Sequence, residues 1–371
     1  MHSFYFLIYE GEIIKKMINK EILYSLDDIS VIPAVSSDVR SRKECNPFTF
    51  SLEGKENFLP IITAPMDSVV DDTCYDNFWD SGISAIIPRT VNLETRLELC
   101  KKVFCAFGFD EIEKEFISET KESDDLYILI DVANGHMDYQ IRLGKRLKNK
   151  YGDKLKLMGG NIANPETYEL YNEVGFDYLR CGVGGGAGCL TSVHSSIHYP
   201  MASLIEKTRQ IRLNCGGKTK IIADGGIKTY SDAIKCLALG ADYVMMGYTL
   251  SKCIESAGDF YDYNYQKISK ETAQKLLETN QKVYKDYHGM STKKVQAKIL
   301  GVDEKKEKHN LKTSEGRSEF TQIEYTLPGW TENFNSYLRS MMSYIGVRKV
   351  SDLKRANCQI ISKSSQEKLR K

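Results

Sequence analysis

Eight short apolar runs recur along the chain, and each gives way to a turn signal and then a longer amphipathic stretch. They are "LPIITAPMDS" (59–68), "ISAIIPRT" (83–90), "KVFCAFGF" (102–109), "LYILIDVANG" (126–135), "KLKLMGGNIA" (154–163), "FDYLRCGVGGG" (176–186), "TKIIADGG" (219–226) and "ADYVMMGY" (241–248). Their hydrophobicity is continuous rather than alternating, the pattern of strands buried on both faces in a parallel sheet. The stretches between them read as helices. "NPETYELYNEVG" (164–175) and "YSDAIKCLALG" (230–240) each end on glycine, the residue best suited to the left-handed turn that stops a helix. In the second, Ile234, Leu237 and Leu239 fall near one face.

Eight strands alternating with helices predict an α/β fold of the (β/α)8 barrel type, one domain over residues 1–371. The alternative is a doubly wound open sheet, which a glycine-rich segment such as "GVGGGAG" would suit. That segment follows the sixth run, however, and a dinucleotide fingerprint belongs after the first. In a barrel the polar strand ends at Asp67, Arg89, Asp131, Asn161, the 182–189 loop, Asp224 and Gly247 gather on one rim, where the ligand sites of this fold form. Beyond residue 250 the pattern changes to a charged stretch at 265–313.

Composition narrows the picture further. Fifty-one basic residues against fifty acidic ones leave a formal charge of +1, so no global field draws nucleic acid or a membrane surface. No apolar run approaches the ~20 residues of a membrane span. The N-terminal "MHSFYFLIYEGEIIKKM" lacks the leading positive charges and the cleavage site of a signal peptide. The ten cysteines are scattered without a C-x-x-C pair and read as reduced thiols, so a cytoplasmic protein is expected. One cysteine stands apart. Five glycines in seven positions (182–188) lead directly into Cys189. Glycines there let the backbone approach something closely: a phosphate, a metal ion or a packing neighbour.

The motifs "DDISVIPAVSSDVRSR", "APMDSV", "GGNIA", "GVGGGAGCLT", "IIADGGIKTYSDAIKCLALGADYVMMG", "YHGMS", "SEGR" and "LRSMMSYIGV" follow one another over nearly the whole chain. In this order they resemble the family of inosine-monophosphate dehydrogenases and guanosine-monophosphate reductases. The resemblance implies a catalytic barrel for a purine nucleotide and a nicotinamide cofactor, assembled as a homotetramer. Cys189 matches the family's nucleophile, a soft thiolate that adds to purine C2 and gives a covalent intermediate. Thr191 and Glu315 match the pair that handles the leaving group or water. Asp224 matches the ribose carboxylate, which accepts two hydroxyl donors at once. Gly226, Gly247, Gly289, Met290, Ser291 and Gly316 match the cradle for phosphate and base. Asp131, Ala133 and Asn134 of "DVANG" match the nicotinamide-ribose site. Arg89 is placed near the cofactor on charge alone, since Pro88 stands where the reductases have a lysine. The resemblance also implies a monovalent cation, potassium, at the backbone carbonyls of Gly184, Gly186 and Cys189.

Within that family the chain reads as an NADPH-dependent reductase. The dehydrogenases carry an Arg-Tyr pair on a mobile flap, and this sequence has no "RY" dipeptide. The corresponding flap region, about 285–330, holds only 26 positions from Gly289 to Glu315. "DVANG", Ser291 and Tyr199 are reductase-like. The 35 residues between Thr90 and Leu126 leave no room for the regulatory nucleotide-binding (CBS) modules that dehydrogenases usually insert. "APMDSV" leans towards the dehydrogenases. Ala187, Leu190, Ser192, Met201 and Tyr248 depart from the family pattern around the phosphate loop. Two alternatives therefore stay open: a dehydrogenase without regulatory modules, and a nucleotide-binding homologue without catalysis.

Overall fold

The structure, a computed structural model, describes residues 20–186, 191–303, 311, 313, 314, 316 and 318–369. Its centre is a ring of eight parallel strands, one in each apolar run. They are β1 (Ile61–Thr63), β2 (Ile86–Ile87), β3 (Phe104–Phe107), β4 (Leu126–Ile130), β5 (Leu155–Ile162), β6 (Tyr178–Cys181), β7 (Lys220–Asp224) and β8 (Tyr243–Met246). Chain neighbours are sheet neighbours from β2 to β8, and β8 pairs with β1. A parallel bridge between Ile62 and Ser84, just ahead of β2, closes the ring. With helices following the strands, this is a (β/α)8 barrel.

The continuous apolar runs are explained by two cores. Ile128 and Ile130 pack outward under the helices, while Leu129 between them points inward to Ile62, Ile86, Phe104, Met158, Ile222 and Met245. Successive strand residues face opposite sides, so a strand with a core on each side needs every position apolar. Leu52 plugs the N-terminal end of the interior, its carbonyl accepting a hydrogen bond from the Tyr178 hydroxyl at 2.8 Å.

The helices stop where the glycines predict. The helix Tyr230–Leu239 begins at a capping box, with the Thr229 hydroxyl accepting from the Asp232 amide and the Asp232 carboxylate from the Thr229 amide. It ends at Gly240 with φ +119°, and Ile234, Leu237 and Leu239 are buried. Thr167–Val174 likewise ends at left-handed Gly175.

Beyond β8 a second, antiparallel sheet is built from β9 (Phe260–Tyr261), β10 (Lys267–Ile268), β11 (Tyr284–His288) and β12 (Ser318–Gln322), in the order β10-β9-β11-β12. It starts 25 residues ahead of the flap region read from the sequence, because β9 pairs with β11 through Phe260 and Lys285. The helix Lys293–Leu300 leaves β11. Among the described residues no helix is long and apolar enough to cross a membrane.

Candidate active site

The C-terminal rim of the barrel is organised by a residue the motifs did not single out. Arg180 lies in β6 inside an otherwise apolar run and is almost fully buried. Its Nη1 donates to Asp131 Oδ1 at 2.9 Å, and its Nε and Nη2 reach Asp224 Oδ2 at 3.0 and 2.9 Å. Asn161 Nδ2 donates to the same Asp224 oxygen at 2.6 Å and to the Gly182 carbonyl at 2.9 Å. Burial alone would lower the arginine's pKa, but the carboxylates of Asp224 and Asp131 hold it above its usual range. One guanidinium thus joins the ends of β4, β6 and β7, and Asn161 adds β5 through Asp224. The signal was in the sequence: a charge within a buried strand must be paired.

Against this cluster lies the glycine loop, and the loop's closest neighbour is the chain itself. A Cβ at Gly182 would fall inside the Asp224 carbonyl, and one at Gly184 would lie 2.5 Å from Ser192 Cβ. One at Gly185 would press on the backbone of Gly225 and Gly226 at 3.3–3.4 Å. Gly225 and Gly226 themselves hold φ of +97° and +77°. Two glycine turns therefore pack backbone to backbone, a closeness that side chains at these positions would prevent. The Gly184 carbonyl, a candidate cation ligand with that of Gly186, accepts the Ser192 hydroxyl at 2.7 Å. Met201 lies beside the same loop, its Cε 2.8 Å from where a Gly182 Cβ would be.

The flap side completes the rim. Gly247 ends β8, and a Cβ there would meet Met66 Sδ, Ala64 and the Tyr287 hydroxyl at 3.1–3.4 Å. The Tyr248 ring packs edge-on against Tyr287 at 5.3 Å. Gly289, Met290 and Ser291 follow β11 directly, and a Cβ at Gly316 would lie 3.1 Å from Ser291 Oγ. The "GMS" and "SEGR" motifs, far apart in sequence, are thus adjacent. His288 Nε2 lies 2.9 Å from Asp67 Oδ1, and its Nδ1 lies 3.4 Å from Asp286 Oδ2. Burial opposes the charge, yet the carboxylates of Asp286 and Asp67 raise His288 to about 9. Lys285, fully buried in β11, donates to Ser256 Oγ at 2.5 Å and to the carbonyls of Ala257 and Ser68, and burial pulls it down to about 7.

The remaining predicted residues are distributed as follows. Arg89 points along the rim to Glu111, Nε to Oε2 at 3.0 Å, where Arg96 also binds Glu111 at 2.6 Å. Asn134 caps its own turn by accepting from the His136 amide at 3.0 Å, and Ala133 beside it is exposed. Gly135 is wedged on Gly160 and Asn161, which ties "DVANG" to "GGNIA". Cys189, Glu315, Ala187 and Leu190 lie outside the described residues, as does the side chain of Thr191. Their immediate neighbours Gly186, Ser192 and Gly316 belong to the rim segments just described.

The rim of this (β/α)8 barrel thus carries paired carboxylates and two packed glycine turns. The family profile described as "IMP dehydrogenase / GMP reductase domain" matches residues 23–369. The chain belongs to that family. It is 26% identical to a GMP reductase of Streptococcus pneumoniae serotype 4 over 359 residues, covering 94% of this chain and 98% of that one. A GMP reductase of Streptococcus suis is likewise 26% identical, with the same coverage.

Proposed function

We propose that the chain is an NADPH-dependent guanosine-monophosphate reductase that converts GMP to IMP and ammonia. The observation that carries this reading is the sharing of Arg180 by Asp131 and Asp224. The former is read as holding the nicotinamide ribose and the latter the nucleotide ribose. With both on one guanidinium, two ligands held there lie side by side, as hydride transfer requires. Asp131 and Asp224 each use one oxygen on Arg180, which leaves Asp131 Oδ2 and Asp224 Oδ1 as acceptors for ribose hydroxyls. The names of the relatives support the same choice.

In this mechanism the Cys189 thiolate attacks purine C2, and the 2-amino group leaves as ammonia after taking a proton through Glu315 and Thr191. NADPH, when bound, supplies the hydride that C2 receives. The C2–S bond then breaks, returning the thiolate and releasing IMP. Gly226, Gly247, Gly289, Met290, Ser291 and Gly316 cradle phosphate and base, while Ala133, Asn134 and Arg89 border the cofactor. Potassium, if used, takes the carbonyls of Gly184, Gly186 and Cys189. We assign the whole chain to one catalytic domain without inserted regulatory modules, working as a cytoplasmic homotetramer.

Absorbance at the nicotinamide band tests the reading. NADPH consumption that depends on GMP is expected. NADH production from IMP and NAD would make the protein a dehydrogenase instead. Silence in both assays with nucleotide still bound would leave a binding homologue.

A further inference from the structure

His288 sits in β11 immediately before the Gly289–Ser291 turn, buried between two carboxylates. Asp67 comes from the loop after β1, and Asp286 lies two residues back on the same face of β11. The far oxygen of Asp67 is held by Lys298 at 2.7 Å, and Asp286 by Lys294 at 2.8 Å. These lysines are one turn apart on the helix Lys293–Leu300. The result is a ladder, Lys298–Asp67–His288–Asp286–Lys294, that joins barrel, flap strand and flap helix. Other charged groups frame it. Asp71, Asp72 and Asp259 share the cleft of Asp67 and Lys298, and Tyr261 and Asp259 flank Lys294. Lys285, three residues earlier in β11 and so on its opposite face, grips the Ser68 carbonyl. The turn at 67–68 is held from both sides.

The protonation state follows from the geometry. A neutral imidazole has a lone pair on one nitrogen, and here that nitrogen would face a carboxylate oxygen. Nε2 hydrogen-bonds Asp67, while Nδ1 stands at ion-pair distance from Asp286 outside hydrogen-bond geometry, so only the imidazolium places positive charge between the two carboxylates.

We infer that His288 is a positioning residue whose imidazolium clamps β11 to Asp67 and so seats the Gly289–Ser291 turn at the nucleotide mouth. The last clause rests on the function proposed above. The clamp itself does not, because Asp67, Asp286 and both lysines belong to this chain and need no ligand. Removing the proton leaves Asp67 and Asp286 facing one neutral ring. On this face of β11 the ladder then keeps the two exposed lysine pairs, which contribute little, while Lys285 still holds the opposite face.

The test uses the full chain without ligand first. Nitrogen-15 histidine spectra should show His288 as imidazolium at neutral pH, titrating near 9. Hydrogen exchange of residues 284–300 should quicken across the same interval. With GMP as the probe, Kd should rise about tenfold or more there, the ordinary cost of a lost charge-assisted hydrogen bond. His288→Gln should exchange fast and bind weakly at every pH. His288→Arg should restore protection and binding and abolish the loss at pH 9. A neutral His288 at pH 7, or wild-type exchange in the Gln variant, would overturn the clamp. The wild-type titration decides the matter even if a variant fails to fold. GMP that binds at no pH, while exchange still follows His288, would overturn the nucleotide reading and leave the clamp standing.

Discussion

Two clusters on the rim repeat one motif, a cation between two aspartates, in different materials. Arg180 is set between Asp131 and Asp224 by the ends of barrel strands. His288 is set between Asp67 and Asp286, which bridge the barrel and the flap sheet. The guanidinium keeps its charge at every pH a protein survives, whereas the imidazole does not. The barrel ends are also joined by the strand ladder, and a permanent charge there ties the carboxylates together at any pH. The flap strand is not part of the barrel's strand ladder, so a charge that can be lost contributes to how firmly it is seated.

The contrast should fail most completely at Arg180. Arg180→Met leaves two nearly buried carboxylates without their cation and should cost about 3–5 kcal/mol, read from urea unfolding. Arg180→Lys should cost less but still lower turnover, since a single ammonium cannot serve both carboxylates in the forked geometry. A Met variant as stable as the wild type would mean that the cluster is not a structural centre.

Neither cluster performs the chemistry in the proposed reaction. Cys189→Ala should therefore reduce turnover more than about a hundredfold, some 2.7 kcal/mol of barrier, with GMP binding still measurable by calorimetry. A variant that keeps more than a hundredth of the rate would remove Cys189 as nucleophile.

The pH dependence separates the two cations directly. His288 is raised to about 9 from an unfolded value of 6.5, so its stabilisation is complete below pH 6.5 and is lost as pH rises through 9. Asp67 is lowered to about 2, His288 and Lys298 outweighing its burial. Its contribution holds above the ordinary carboxylate range and disappears only as pH falls towards 2. Lys285 pulls the opposite way, being destabilised by its charge as pH falls towards 7. The useful quantity is the stability difference between wild type and His288→Gln. It should shrink between pH 6.5 and 9 by at most on the order of 3 kcal/mol, and an Arg180→Lys comparison should show no such slope.

The smallest effect is expected at Arg89, whose partner Glu111 is shared with Arg96 and whose side chain is partly exposed. Arg89→Ala should cost less than about 1 kcal/mol of stability and raise the cofactor's KM a few-fold. An unchanged KM would leave Arg89 a purely structural neighbour of Glu111.

The barrel was legible in the sequence because a strand with a core on both faces must be apolar at every position, and eight such runs were visible. Helix ends were legible for a similar reason, since Gly175 and Gly240 hold conformations that side chains disfavour. The rim positions Asp131, Asn161, Asp224 and Gly247 were legible as polar or glycine ends of apolar runs, because the fold sends those ends to one rim. What Gly182, Gly184 and Gly185 approach was not legible. A glycine permits close contact with phosphate, metal or backbone alike, and only the tertiary structure places Gly225, Gly226, Asp224 and Ser192 against them. Partnerships between charges were hidden for the same reason. Arg180 and His288 stood in plain view, in "YLRC" and "YHGMS", but Asp131 and Asp67 lie 49 and 221 residues away from them. Local pattern reports what each residue can do with its neighbours in the chain. Which charge meets which across the rim is settled by strand order, register and the path of the flap, and those exist only once the chain is folded.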